Sequence, residues 1–244
     1  MSEFRNAIHK LATAQKSSRG VSLYSRWINR PFGRVLAAAA HRAGLTPNVV
    51  TAASAACTGS ALLLLILVPP AWWLGVVVGV LLVVGFALDS ADGQLARLTG
   101  RSSLVGEWLD HVVDAAKLVC LHGAVLVAGH RFWAVAEPWL LVPLAFQVVA
   151  VVTFSALVLV ELIPKARGSV GEARRGGPSM VRAVLLLPAD YGILAVSFVL
   201  WGLPTVFLGW YALLALANLL ILLALLVRWY RQLSRTAVPA AAGT

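Results

Sequence analysis

Apolar and polar residues alternate along this chain in long blocks. Apolar runs cover roughly Val49 to Val68, Ala71 to Leu88, Trp108 to Ala128, Pro138 to Ile163, Val181 to Trp201 and Thr205 to Val227. Each is near the ~20 residues that a helix needs to cross the hydrocarbon core of a bilayer. The pattern predicts six spanning helices, with short turns at Pro69-Pro70 and Gly202-Leu203-Pro204. Ahead of them, Tyr24 to Ala43 sets Arg26, Arg30 and Arg34 four apart on one face, with Trp27, Ile28, Phe32, Val35 and Leu36 around the other sides. That predicts a helix lying in the membrane interface, bent or interrupted at Pro31; an amphipathic helix packed on the protein itself fits the same pattern. Residues 1 to 20 are polar and basic without apolar periodicity, and predict a loosely ordered lead. The expected fold is all-α and integral to the membrane, with six transmembrane helices preceded by an N-terminal interfacial amphipathic helix. Residues 1–45 form the lead and interfacial helix, 46–228 the membrane domain and 229–244 a tail.

Composition agrees with the pattern. Of 244 residues, 60% are hydrophobic and only 12% charged, about half the charged share of an ordinary soluble domain. The net charge of +10 raises the question of nucleic acid, but the basic residues flank apolar runs and form no patch with stacking aromatics, so no nucleic-acid partner is expected. They report orientation instead. Arg5, Lys10, Lys16, Arg19, Arg26, Arg30, Arg34 and Arg42 precede the first run, and Arg97 and Arg101 lie between the second and third. Lys165, Arg167, Arg174, Arg175 and Arg182 lie between the fourth and fifth, and Arg228, Arg231 and Arg235 follow the sixth. The opposite loops hold only Arg131. A multi-pass protein of the cell membrane, with both termini and the aspartate-bearing connection around Arg97 and Arg101 on the cytoplasmic side, is therefore expected. Cys57 and Cys120 sit inside apolar runs without CxxC spacing, and read as small buried hydrophobes rather than a disulfide or zinc ligands.

The acidic residues break the apolar pattern where it matters most. Five of the ten fall between Asp89 and Asp114, in DSADGQLARLTGRSSLVGEWLDHVVD. Each aspartate costs roughly 2.5 to 3.5 kcal/mol at the centre of a membrane helix, so a cluster asks for a cation or a polar cavity. On a single helix Asp89, Asp92 and Ala96 share a face, and Asp110 and Asp114 share a face of the next helix. Facing pairs offer eight carboxylate oxygens, the hard ligand set of Mg²⁺ or Mn²⁺, and two such ions would neutralise the four carboxylates. Gly93 leaves room for a ligand to approach. Arg97, one turn on, offers a planar fork of donors to phosphate. Paired carboxylates between membrane helices also fit a cation transporter, which predicts a site near mid-bilayer and no role for Gly93 or Arg97.

The same stretch reads D-x2-D-G-x2-A-R-x8-G-x3-D-x3-D, at Asp89, Asp92, Gly93, Ala96, Arg97, Gly106, Asp110 and Asp114. It resembles the CDP-alcohol phosphatidyltransferase family. The resemblance implies an enzyme of phospholipid biosynthesis that moves a phospho-alcohol or phosphatidyl group from a CDP-linked donor to the hydroxyl of an alcohol or lipid acceptor, with release of CMP. It implies metal ligation by Asp89, Asp92 and Asp110. Asp114 would ligate the second metal or take the acceptor's proton, Gly93 and Arg97 would hold the CDP diphosphate, and the assembly would be a homodimer. The TPN-x-x-T segment ahead of the first run is also similar to the family, placing Asn48 and Thr51 near the cytidine, and Ser103 would touch the nucleotide.

Plainer roles stand beside these. Thr46 or Asn48 can cap the first spanning helix behind Pro47, and Ser103 can cap the helix that carries Asp110. Gly106 fits close helix approach, Glu107 a helix dipole, and His111 a hydrogen bond or packing beside Asp110. In the fifth run, Pro188 and Asp190 point to a kink with a polar contact or to an acceptor pocket, and Arg182 to a phosphate grip or a snorkelling side chain. Relatives that use glycerol phosphate or inositol phosphate are associated with a Lys or Arg just after the fourth aspartate. Here that position is Ala115, with Lys117 two further on. The Leu109 to Asp114 wording is similar to members with a CDP-amino-alcohol donor and a diacylglycerol-like acceptor. The acceptor stays open.

Overall fold

The computed structural model describes residues 2–13, 21–166 and 179–235, and these are all-helical, without a strand. Lys16, Arg19, Arg167, Arg174 and Arg175, which contribute to the charge bias, lie outside the described residues, as do all residues after Arg235. Among the described residues five helices are long and apolar enough to cross a membrane: α3 (Pro47–Leu67), α4 (Trp72–Thr99), α5 (Leu104–Phe132), α6 (Leu141–Ala166) and α9 (Pro204–Ser234). The helices preceding α3 are α1 (Ser2–Thr13) and α2 (Arg30–Arg42), and α7 (Met180–Leu185) and α8 (Tyr191–Ser197) lie between α6 and α9.

Two expectations change. Residues 2–13 form a helix rather than a loose lead. Phe4, Ala7 and Leu11 give it a short apolar stripe, and Leu11 is buried with Ala37 and Ala40 of α2 and with Ala91 and Leu95 of α4. Packing supplies what the weak periodicity lacks. The fifth apolar run is not one helix: α7 ends before a 3-10 turn at Leu187–Ala189, α8 restarts at Tyr191, and a second 3-10 turn closes it at Phe198–Leu200. Pro188 has no N–H for a helical bond. Asp190 then caps α8, its carboxylate accepting from Gly192 N at 2.8 Å.

Other local features follow the residues closely. A π turn at Ser25–Asn29 runs straight into α2, immediately ahead of Pro31, so the proline loosens the helix without ending it. Thr46 stands at the start of α3 with Pro47 in the first turn, although its side chain makes no capping bond. Gly100 closes α4 in a left-handed conformation (φ 65°), the backbone state glycine tolerates best. Ser103 caps α5 by accepting from Gly106 N at 3.0 Å. The main core joins α3, α4, α5, α8 and α9 around Leu65, Leu74, Leu82, Val125, Phe198, Trp201 and Tyr211. Close approach of α3 and α4 is fixed at Gly85, where a β-carbon would fall 2.8 Å from Thr58 Oγ1, and Ser54 donates to the Gly85 carbonyl at 2.6 Å. That approach brings the polar end of α3 beside that of α4, where Thr51 donates to Asp92.

Candidate active site

Asp89 and Asp92 lie in the last three turns of α4, and Asp110 and Asp114 in the first three of α5. The tight Gly100 to Ser103 connection folds the two ends back on each other. One carboxylate oxygen each from Asp89, Asp110 and Asp114 lie within 4.8 Å of one another. Lys117, one turn beyond Asp114, bonds Asp89 and reaches Asp114 at 3.2 Å, with its side chain only 10% exposed. Asp92 stands apart from this trio. It is 5% exposed and accepts from Thr51 Oγ1 at 2.6 Å and from the Gly93 amide.

A cavity of about 730 Å³ opens between α3, α4, α5 and α6, with Asp92, Asp110 and Asp114 on its wall. Asn48, Thr51, Gly93, Arg97 and Ser103 line it too, so every residue expected at a nucleotide borders one space. Gly93 presents only backbone there, and a β-carbon would sit 3.4 Å from Arg97 Nη1. The Arg97 Nε is buried without a hydrogen-bond partner among the described residues. Arg30 of α2 lies close enough to Arg97 and Arg26 that burial, and then these two like charges, lower its guanidinium pKa from the ordinary value. Gly106 is close-packed as expected, its missing β-carbon 3.2 Å from Ser103 Oγ and 3.5 Å from Asn48 Oδ1. Glu107 and His111 also border the cavity, His111 with its ring edge toward Phe154.

A model of the CDP-alcohol phosphatidyltransferase family matches residues 44–230 of the chain. The chain belongs to this family, transferases of substituted phosphate groups. Archaetidylinositol phosphate synthase of Pyrococcus horikoshii is 35% identical over 60 residues. That stretch is 25% of this chain and spans only 32% of the archaeal protein. The Mycobacterium tuberculosis phosphatidylinositol phosphate synthase, crystallised with CDP-DAG bound, aligns over 89% of this chain and 98% of its own with a TM-score of 0.54 and 20% identity. The same enzyme in complex with manganese and citrate aligns over 89% of this chain and 93% of its own, with a TM-score of 0.52 and 21% identity. At these identities the likeness shows the fold.

Within the phosphatidyltransferase, the converging oxygens of Asp89, Asp110 and Asp114 suit a hard divalent cation, since no sulfur or imidazole enters the set. Asp190 and Arg182 border neither this cavity nor the smaller one beside the trio. Asp190 instead ties the chain ahead of α2 to the bundle, accepting from Ser22 Oγ and from Ser25 N at 3.1 Å. Arg182 is exposed on α7. Sequence reasoning missed the ion pairing of Lys117 and the places of Thr58, Phe154 and Tyr191 beside the trio. Thr58 follows Thr51 by seven residues on one face of α3, a signal that was available. Phe154 and Tyr191 look like ordinary core aromatics in the sequence.

Proposed function

We propose that this protein is a multi-pass membrane transferase of phospholipid biosynthesis. It moves a phosphatidyl or phospho-alcohol group from a CDP-linked donor to an acceptor hydroxyl and releases CMP. The observation that carries the reading is the convergence of Asp89, Asp110 and Asp114, the last two on the wall of a cavity that also presents Gly93 and Arg97. Carboxylates alone would suit many cations; beside a glycine gap and a buried guanidinium donor they suit a metal-bound diphosphate.

In this reading Asp89, Asp110 and Asp114 hold the divalent ion, and Asp92, on the same cavity wall, completes the set for a second. Bound Mg²⁺ or Mn²⁺ supplies neutralisation of charge on the diphosphate. Arg97 grips the diphosphate, the Gly93 backbone lets it approach, and Asn48, Thr51 and Ser103 sit toward the nucleoside. Asp114 takes the proton of the acceptor hydroxyl as its oxygen bonds to phosphorus, and CMP leaves with the electron pair of the broken P–O bond.

The same proposal takes residues 46–228 as the catalytic membrane domain and the broken segment from α7 through Leu200 as a sixth crossing. It takes α2, with its preceding π turn, as an interfacial helix and puts both termini in the cytoplasm of a homodimer. Purified protein incubated with labelled CDP-diacylglycerol or a CDP-alcohol and an acceptor panel should release CMP with Mg²⁺ or Mn²⁺ and stop in excess chelator. Full activity in chelator would remove the metal from the mechanism, and cross-linking in membranes would test the dimer.

A further inference from the structure

The carboxylate trio stands between two spaces. The larger faces the residues expected at the nucleotide. The smaller, about 130 Å³, is lined by Thr58, Phe86, Leu118, Phe154 and Tyr191, with Asp89, Asp114 and Lys117 on its polar side. Phe86 precedes Asp89 on α4 and Leu118 follows Asp114 on α5, each by about one turn away from the Gly100 connection, so this space lies deeper between the helices. Asp114 and Phe154 border both spaces. A carboxylate that faces both sides stands where a donor and an acceptor would meet.

Resting on the transferase reading above, we propose that the smaller cavity is the acceptor pocket of this chain and that it selects an uncharged alcohol with an apolar body. Three features of its wall carry the choice. Phe86, Leu118 and Phe154 give it an apolar surface that the hydroxyl-bearing end of a lipid alcohol can fill, the rest of its body remaining outside, and that a hydrated polyol would desolvate against. Lys117 is the only cation of the described lining, and Asp89 and Asp114 already hold its ammonium. A phosphate placed here would find a single ammonium beside two carboxylates and no arginine fork among the described lining. The Tyr191 hydroxyl is buried beside the Thr58 hydroxyl, so the two form one polar spot on an otherwise apolar wall. These two hold the acceptor oxygen beside Asp114, where its proton passes to the carboxylate, its oxygen bonds to phosphorus and CMP leaves with the bridging oxygen. The break at Pro188 and Asp190 serves this arrangement, since Asp190 caps α8 and so starts the helix at Tyr191.

The test uses the full chain in detergent with Mg²⁺ and, in turn, CDP-diacylglycerol and CDP-ethanolamine as donors. CMP release is expected with a short-chain diacylglycerol or a long-chain alcohol, and only background release with glycerol 3-phosphate, inositol phosphate or free inositol. Tyr191→Phe should raise the KM for the acceptor roughly five- to tenfold while the donor KM stays within twofold, which a mere loss of folding would not produce. Thr58→Val should shift the same constant in the same direction and serves if the Tyr191 variant does not fold. Release driven only by phosphorylated acceptors or free inositol, or a donor KM that moves as much as the acceptor KM, overturns the pocket assignment and leaves the transferase reading standing. Absence of CMP release with every acceptor, together with no donor binding, overturns both.

Discussion

Asp92 and Asp114 carry the same carboxyl group into different surroundings, and their amide replacements should separate metal binding from proton transfer. Asp92 is held by Thr51 and the Gly93 amide on the nucleotide side, whereas Asp114 borders both cavities and reaches Lys117. Asp92→Asn should weaken metal affinity and recover part of its rate in excess Mg²⁺. Asp114→Asn should lose turnover by on the order of 10² to 10⁴ with the donor KM intact, and added metal should recover only the part of that loss that comes from its place among the ligands, less than for Asp92→Asn. Equal recovery of both variants in a Mg²⁺ titration of CMP release would make Asp114 chiefly a ligand. Lys117 gives an independent readout, because Lys117→Met leaves Asp89 and Asp114 without the ammonium that bonds them. Unfolding of that variant in chelator should come several degrees below the unaltered protein, and Mn²⁺ should raise it by more. The same Mn²⁺ shift in both proteins would mean the ammonium does not offset carboxylate repulsion. The four aspartates, Gly93 and Arg97 were legible in the sequence because i, i+3 and i+4 spacing fixes a helix face. The turn of Asp92 toward Thr51 and of Lys117 toward Asp89 was not, because spacing does not say which neighbouring helix a face meets.

Long helices were legible in the same way, since an unbroken apolar run of about 20 residues has few other uses. Shorter elements depend on partners from elsewhere in the chain. Leu11 and Ala7 make a helix of α1 only against α2 and α4. Pro188 and Asp190 advertised a kink, yet the length of the break depends on Phe198 and Trp201 packing on α4. That packing is close: a β-carbon on Gly75 would fall 2.4 Å from the Phe198 carbonyl oxygen and 3.0 Å from Trp201 Cβ. Backbone cannot yield as a flexible side chain can, so Gly75→Ala should cost about 1 to 3 kcal/mol of stability. Gly59→Ala, where nothing lies within 4 Å, is the control and should cost nothing. Similar thermal stability of the two variants would mean that α4 and the Phe198 turn can separate freely. Asp190→Ala acts on a different joint. It removes the α8 cap and the acceptor for Ser22 and Ser25, so amide exchange across residues 21–29 should rise with the loss of about 1 to 2 kcal/mol. Unchanged exchange there would place the hold on this segment in the stacking of Tyr24 on Phe86 instead.

The whole molecule sets a polar cavity at one end of an otherwise apolar helical bundle, and the orientation of that end decides which compartment supplies the donor. On the proposed topology, the positive bias of the α4–α5 connection and of both flanks would put it in the cytoplasm. The fifth run decides whether the last helix agrees: if the broken segment crosses, Ser179 and Leu203 lie on opposite faces, and the chain after α9 returns to the cytoplasm. Single cysteines in a background with Cys57 and Cys120 replaced by alanine turn this into a measurement. Ser102, Ala136, Ser179 and Leu203 are exposed positions, at the connections on either side of α5, before α7 and before α9. A membrane-impermeant maleimide added to intact cells should label Ala136→Cys and Leu203→Cys, and should label Ser102→Cys and Ser179→Cys only after the membrane is opened. Labelling of Ser102→Cys in intact cells would reverse the orientation and put the donor cavity outside. Matching behaviour of Ser179→Cys and Leu203→Cys would instead make the segment re-entrant, leaving five crossings and putting the two ends of the chain on opposite sides. The charge argument alone favours the crossing, since Arg228, Arg231 and Arg235 at the end of α9 would otherwise stand on the face whose loops hold only Arg131.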